Sequence, residues 1–143
     1  MKIIINLFLL TLLTACIGVD KDAINEKLSK NNIPFENMVS NKEKTGIVFW
    51  KSNCGPCIME LEALNQGKES IIAINVGEQS LEKEIKKLQS KIDSKLKSHI
   101  QFQKNKEMAS LIKEKIGINF VPFTVVVKDK KVSNFHVGYT DSL

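Results

Sequence analysis

The sequence contains no arginine; all 21 of its basic residues are lysine. The planar guanidinium of arginine is what grips phosphates and base edges bidentately, so a basic chain without it is a poor candidate for specific nucleic-acid recognition. Its lysines are interleaved with glutamate, as in Glu82-Lys83-Glu84 and Lys113-Glu114-Lys115, the pattern of a solvated helix face rather than a binding patch. No nucleic-acid partner is expected, while the net charge of +5 suits a protein lying beside an anionic membrane surface. Internal repeats and low-complexity tracts are also missing. With 43% hydrophobic residues and so small a charge excess in 143 residues, the chain is excluded from the disordered class and fits one packed domain.

Cysteine is scarce and odd in number: Cys16, Cys54 and Cys57. The first of them closes a distinct N-terminal segment. Met1-Lys2 is a short charged start, residues 3–15 are mostly apolar, and small residues precede Cys16. Thirteen residues are too few to cross a bilayer as a helix, which takes about 20, so the segment reads as an export signal. Leu13-Thr14-Ala15-Cys16 further resembles the lipobox of bacterial lipoproteins, in which the signal is cut before a cysteine whose sulfur carries a diacylglycerol. That resemblance implies lipid attachment at Cys16, removal of residues 1–15, and a mature chain of 128 residues anchored to a bacterial membrane, facing the periplasm or the cell surface. The alternative is an ordinary signal peptide with a chance cysteine. With Cys16 lipidated, Cys54 and Cys57 are the only thiols left, in a compartment where disulfides persist.

Residues 16–32 read as a tether, partly helical through Ala23, Ile24 and Leu28, and residues 33–143 as the folded domain. Ile33-Pro34-Phe35 starts a weak extended segment and residues 41–46 form a turn. Ile47-Val48-Phe49-Trp50 and residues 71–76 are short continuous apolar runs, as expected of strands buried on both faces. Cys54, Cys57, Leu61 and Leu64 share one face of a helix that ends near Gly67. Ser80 caps a second helix, with Glu82 and Glu84 in its first turn and Leu81, Ile85, Leu88, Ile92 and Leu96 along one side. A third helix is expected over residues 107–115, then strands at 123–127 and 132–137 joined by a tight turn. The expected order from residue 47 is strand, helix, strand, helix, helix, strand, strand.

Chemistry concentrates where the first strand runs into Cys54-Gly55-Pro56-Cys57. Two cysteines at this spacing lie on one face of the first helical turn, close enough for a short-loop disulfide. The unpartnered N–H groups and the helix dipole favour the thiolate of the first cysteine, and Pro56 fits a first turn that has no partner for the missing N–H. Cys54 is therefore read as the exposed nucleophile and Cys57 as the resolving thiol. Two other readings remain: a zinc site, for which only His99 and His136 are left as further nitrogen ligands at an unusual spacing, and a purely structural disulfide, which usually closes a longer loop. No metal and no bound cofactor are expected, the redox equivalent being the Cys54–Cys57 pair itself.

At these residues the chain resembles the thioredoxin superfamily, and within it the TlpA/ResA-like membrane-attached thiol-disulfide oxidoreductases. Phe49-Trp50-Lys51-Ser52-Asn53-Cys54-Gly55-Pro56-Cys57 resembles the active-site segment, Ala73-Ile74-Asn75-Val76-Gly77-Glu78 the following strand and turn, Val121-Pro122-Phe123-Thr124 the cis-proline loop, and His136-Val137-Gly138 the end of the last strand. The resemblance implies an α/β thioredoxin-like fold, with a central mixed sheet of four or five strands flanked by helices. Pro122, if cis, would face the cysteines and leave the Val121 backbone free to pair with a substrate strand. Trp50, Asn53, Gly55 and Pro56 would complete the substrate-binding surface. Glu60, three residues after Cys57, would exchange protons with the resolving thiol, although Glu62 lies close by.

The chain departs from that family in three places. Asn53 stands where tryptophan is common, the segment before Phe49 is short, and only five residues follow Gly138, so the C-terminal helix is expected to be short or absent. One sheet face would then be partly uncovered unless residues 20–30 or a partner pack there. The function implied is thiol-disulfide exchange on protein substrates, fed by a membrane electron-donor or acceptor protein. Gly-Pro between the cysteines is the dipeptide of reducing thioredoxins, so the expected direction is reduction, with a role in cytochrome c maturation within reach. A disulfide oxidase or repair protein, and a non-catalytic binding lipoprotein, are the alternatives.

Overall fold

The computed structural model describes residues 20–40, 43–119 and 121–143; the export signal and the lipid site expected at Cys16 lie outside the described residues. Within them, Thr45–Trp50 (β1) and Ser70–Asn75 (β2) form the centre of a five-stranded mixed sheet. Their side chains alternate between two cores. Ile47, Phe49, Ile72 and Ile74 enter one, Val48, Trp50, Ile71 and Ala73 the other, which is why both runs are apolar throughout. β2 pairs in parallel with β1 and with an edge strand, Ile100–Gln103 (β3). On the other side β1 pairs antiparallel with Phe123–Lys128 (β4), which pairs antiparallel with Lys131–Val137 (β5). The order across the sheet is β3-β2-β1-β4-β5. Asp129 and Lys130 both take positive φ, 51° and 61°, the geometry of the two-residue hairpin turn that matches strand twist.

The helices are Lys21–Lys30 (α1), Gly55–Gln66 (α2), Leu81–Gln89 (α3) and Lys106–Leu111 (α4). α2 and α3 cover the second core through Cys57, Leu61, Leu64 and Leu88. The first core is closed by Met108 of α4, by a π-helical turn Ile112–Ile116 that continues it, and by α1. This is the architecture that the resemblance implies: a mixed sheet with helices on both faces.

Several elements differ from expectation. β3 was not foreseen: four residues are too few to display alternation, and it separates two helices expected to be consecutive. α3 ends at Gln89, so Ile92 lies beyond the helix although it is still buried. Phe35 opens a 3-10 turn, Phe35–Met38, rather than an extended segment, and drops its ring into the core at 1% exposure. The helix expected inside a tether is part of the folded unit. Asp20 caps it by accepting from the Ala23 N–H at 3.0 Å, and Ile24 and Leu28 are buried in one cluster with Ile112 and Ile116. Residues 20–30 thus pack over the first core, whereas the chain after β5, with Leu143, packs on the second. We expect Leu28→Ala to lower stability by about 2–3 kcal/mol, the lower part of the range for a buried leucine, in urea denaturation of residues 16–143; a tether would register no change.

Residues 138–143 carry no helix. They fold back so that Thr140 reaches α2 and Leu143 meets β1. A Cβ at Gly46 would stand 2.7 Å from the Leu143 Cδ1, so glycine there makes the space for that side chain.

Candidate active site

β1 ends at Trp50, and its chain turns over residues 51–54, with the Cys54 N–H donating to the Lys51 carbonyl at 3.3 Å. Cys54 is then the N-cap of α2, and its Sγ accepts from the Cys57 N–H at 3.2 Å. This is the place that serine or aspartate usually takes, where a side-chain acceptor satisfies a free helical N–H. Cys54 and Cys57 form a disulfide with Cα atoms 5.3 Å apart. Cys54 is 8% exposed and Cys57 fully buried, so an incoming sulfur has access to the first and not to the second. Pro56 lies in the first turn of α2, and Asn53, Gly55 and Pro56 are all exposed around the disulfide.

The Val121–Pro122 peptide bond is cis. Val121 is half-buried, and its carbonyl oxygen stands 3.6 Å from the Cys54 Sγ. Pro122 is buried, and its carbonyl accepts from the Gly138 N–H at 2.9 Å, which ties the loop to the residue after β5. The residues foreseen as a proline loop and those foreseen as the active-site segment therefore meet at one place. Trp50 is the exception. Its indole is fully buried and set edge-on to Phe102 with ring centroids 5.5 Å apart. The alternation along β1 turns it into the second core, so it is a core residue and offers no surface to a substrate.

Glu60 follows Cys57 by one turn of α2 on its buried side, at 0% exposure. It accepts from the Thr124 hydroxyl through Oε1 and from the Thr140 N–H through Oε2 at 3.2 Å. Burial pushes its carboxyl up to about 7, even though both hydrogen bonds pull the other way. Glu62, its rival in the sequence, points outward and accepts from the Asp93 N–H at 3.1 Å. A carboxyl that titrates near neutrality, one turn from a resolving cysteine, is matched to proton exchange at physiological pH.

Sequence reasoning missed the partners that set this geometry. Thr124 is the one polar side chain in an otherwise apolar strand run, two residues after Pro122, and that was its only signal. Thr140 acts through its backbone and left none. Ser52, Glu84 and Lys91, which converge on the turn before Cys54, were also unforeseen. His99 contacts the Leu64 carbonyl near the far end of α2 from the cysteines, and no group of three His, Cys, Asp or Glu poised for a metal exists among the described residues.

No protein-family profile matches the chain, and no curated protein does. Its fold is nevertheless shared with solved structures. StoA from Bacillus subtilis is 20% identical, with a TM-score of 0.53, over 72% of this chain and 79% of that one. A thio-disulfide isomerase from Thermus thermophilus is 19% identical, with a TM-score of 0.54, over 73% and 74%. The thioredoxin domain of a thiol-disulfide oxidoreductase from Bacteroides vulgatus is 18% identical, with a TM-score of 0.50, over 70% and 74%. The chain has the thioredoxin fold.

Proposed function

We propose that this thioredoxin-fold chain is a thiol-disulfide oxidoreductase that works outside the cytoplasm, held to a membrane by lipid on Cys16, and that it reduces protein disulfides. The observation that carries the reading is the disulfide at the start of α2, with Cys54 as the accessible cap and Cys57 buried behind it. The names of the isomerase and the oxidoreductase that share the fold agree with it. Location rests on the lipobox-like Leu13-Thr14-Ala15-Cys16; among the described residues no helix is long and apolar enough to cross a membrane.

In the reduced protein the Cys54 thiolate attacks one sulfur of a substrate disulfide. A mixed disulfide forms and one substrate thiolate leaves. Cys57 then gives its proton to the Glu60 carboxylate and attacks the Cys54 sulfur, which restores the intramolecular disulfide and releases the second substrate thiolate. Two electrons pass to the substrate, and a dithiol on a membrane partner returns them. No bound cofactor or metal takes part. Val121 offers its backbone to the substrate strand, and Asn53, Gly55 and Pro56 form the exposed rim against which that strand lies. Oxidised apocytochrome c, with its pair of haem-attachment cysteines, is the first substrate to try.

Redox titration of the Cys54–Cys57 couple tests the direction. A potential near about −270 mV, that of thioredoxin, is expected, and one near about −120 mV would identify an oxidant instead. The anchor is tested separately: Cys16→Ala should abolish the lipid increment in the mature mass and move the protein from the membrane to the soluble fraction. An unchanged mass and fractionation would remove the anchor from the proposal.

A further inference from the structure

Glu84 is a buried carboxylate, 4% exposed, for which the exchange cycle has no use. It lies in α3, yet its Oε2 accepts from the backbone N–H of Ser52 at 2.8 Å and from the Asn75 side-chain amide at 3.3 Å. Lys91, two residues past the end of α3, donates through Nζ to the Ser52 carbonyl at 2.7 Å. Ser52 is a central residue of the turn whose closing bond is the Cys54 N–H to the Lys51 carbonyl. The N–H and C=O of such a residue have no partner within the turn itself. Here a carboxylate takes one and an ammonium the other, both from the α3 side of the fold. Charge-assisted bonds of this kind are roughly twice as strong as neutral ones.

The surroundings favour the ionised form. Burial raises the Glu84 carboxyl, but the Ser52 hydroxyl and N–H, the Asn75 amide and the Lys87 charge outweigh it and hold the group below its ordinary value. Gly77 is part of the arrangement. A Cβ there would lie 2.5 Å from the Glu84 Oε1, closer than any real contact, so the carboxylate rests directly against the glycine backbone. Asn75 in turn accepts from the Gly77 N–H through Oδ1 at 3.1 Å.

We propose that Glu84 and Lys91 are positioning residues for Cys54: together they clamp Ser52, and through the turn they hold the Cys54 sulfur over the N–H of Cys57. The proposal rests on Cys54 being the nucleophile. It deepens that reading by making the helix after β2 part of the active site. The hydrogen bond that stabilises the Cys54 thiolate depends on where the cap residue sits, and the clamp fixes that two residues earlier. The charged groups around the turn are Lys51 within it, Glu78 after β2, Lys87 beside Glu84, and Lys91.

The test is the pH profile of Cys54 alkylation by iodoacetamide in the reduced full-length protein, with the labelled cysteine identified by peptide mass and with thermal melts run in parallel. Glu84→Ala should move the Cys54 titration to higher pH and slow labelling at pH 6 about tenfold, the equivalent of one pKa unit. Glu84→Gln keeps an acceptor oxygen and should retain the wild-type profile or titrate slightly lower. Lys91→Met should slow labelling less than Glu84→Ala. Gly77→Ala, which leaves the carboxylate in the chain but displaces it, should reproduce the slow labelling, and it covers the case of an Ala variant at 84 that does not fold. If Glu84 acted only as a nearby negative charge, Ala and Gln at 84 would both shift the titration downward, which would overturn the clamp. A lowered melting temperature with an unmoved pH profile would overturn it too. Iodoacetamide needs no protein substrate, so labelling of Cys54 with no shift in any variant sinks the clamp alone, whereas labelling that falls first on Cys57 sinks the assignment of the nucleophile and the clamp with it.

Discussion

Replacing Cys54 with serine is expected to cut disulfide exchange by at least about a thousandfold, the scale of losing a nucleophile, while the protein stays folded. The loss is chemical because the disulfide closes a loop of only four residues. By loop entropy such a link contributes about 2 kcal/mol, against a sheet and two cores that do not depend on it. Cys57→Ser should behave differently. Its Cys54 still caps α2 and still attacks, but no second sulfur stands behind it to resolve the product, so the mixed disulfide accumulates. A pull-down of Cys57→Ser under non-reducing conditions should therefore retain substrate proteins that dithiothreitol releases, and Cys54→Ser should retain none. Insulin reduction at wild-type rate by Cys54→Ser would remove Cys54 from the mechanism. The asymmetry follows from burial, since at 8% against 0% exposure only one of the two sulfurs can be reached from outside.

What the sequence made legible was whatever depends on local pattern. The runs at residues 47–50 and 71–74 are strands because β-branched and aromatic residues in short continuous series have no other stable place. Cys54, Cys57, Leu61 and Leu64 fall on one helical face by spacing alone, and all four are buried. Hidden features were those set by tertiary contact. β3 has four residues, and only pairing with β2 makes it a strand. Trp50 is assigned to a substrate surface by the resemblance of its segment to an active site, but strand alternation decides its direction, and that turns it inward. Glu60 and Glu62 could not be separated by spacing; the cross-sheet hydroxyl of Thr124 and the N–H of Thr140 distinguish them. Glu84 did leave a trace. It is three residues after Leu81 and four before Leu88, so it occupies the apolar stripe of α3, and a charge in that position signals either a conflict or a purpose. Read as a helix-dipole residue of the first turn, it was given only the weaker of its two roles.

Glu60→Gln should make the oxidised protein more stable above neutral pH and the reduced protein slower, a combination that a simple packing residue would not produce. The folded carboxyl titrates at about 7, against an ordinary 4.5. Below pH 4.5 it is protonated in both folded and unfolded chains, and its contribution to stability is fully present. Between 4.5 and 7 only the folded chain keeps the proton, so stability falls as pH rises. Above 7 the buried carboxylate has formed and the loss is complete, about 3 kcal/mol at 1.36 kcal/mol per pH unit. Its neighbours do not offset this. Thr124 and Thr140 are neutral, and His136, paired across the sheet with Thr124, is held below its ordinary value by burial and by Lys21 and Lys44, which favours its neutral form. Glutamine lacks the titration, and denaturant unfolding of the two oxidised proteins should agree at pH 4 and diverge in favour of the variant at pH 8. Parallel pH profiles would show that the carboxyl is not titrating in the core. Kinetics should move the other way. Without a carboxylate to accept the Cys57 proton, decay of the mixed disulfide in rapid-quench experiments at pH 7 should slow about a hundredfold, the lower range for loss of a general base, while its formation by Cys54 is unaffected. Burial thus does two things at once: it makes Glu60 costly to ionise, and it brings its titration to the pH at which the resolving thiol must give up a proton.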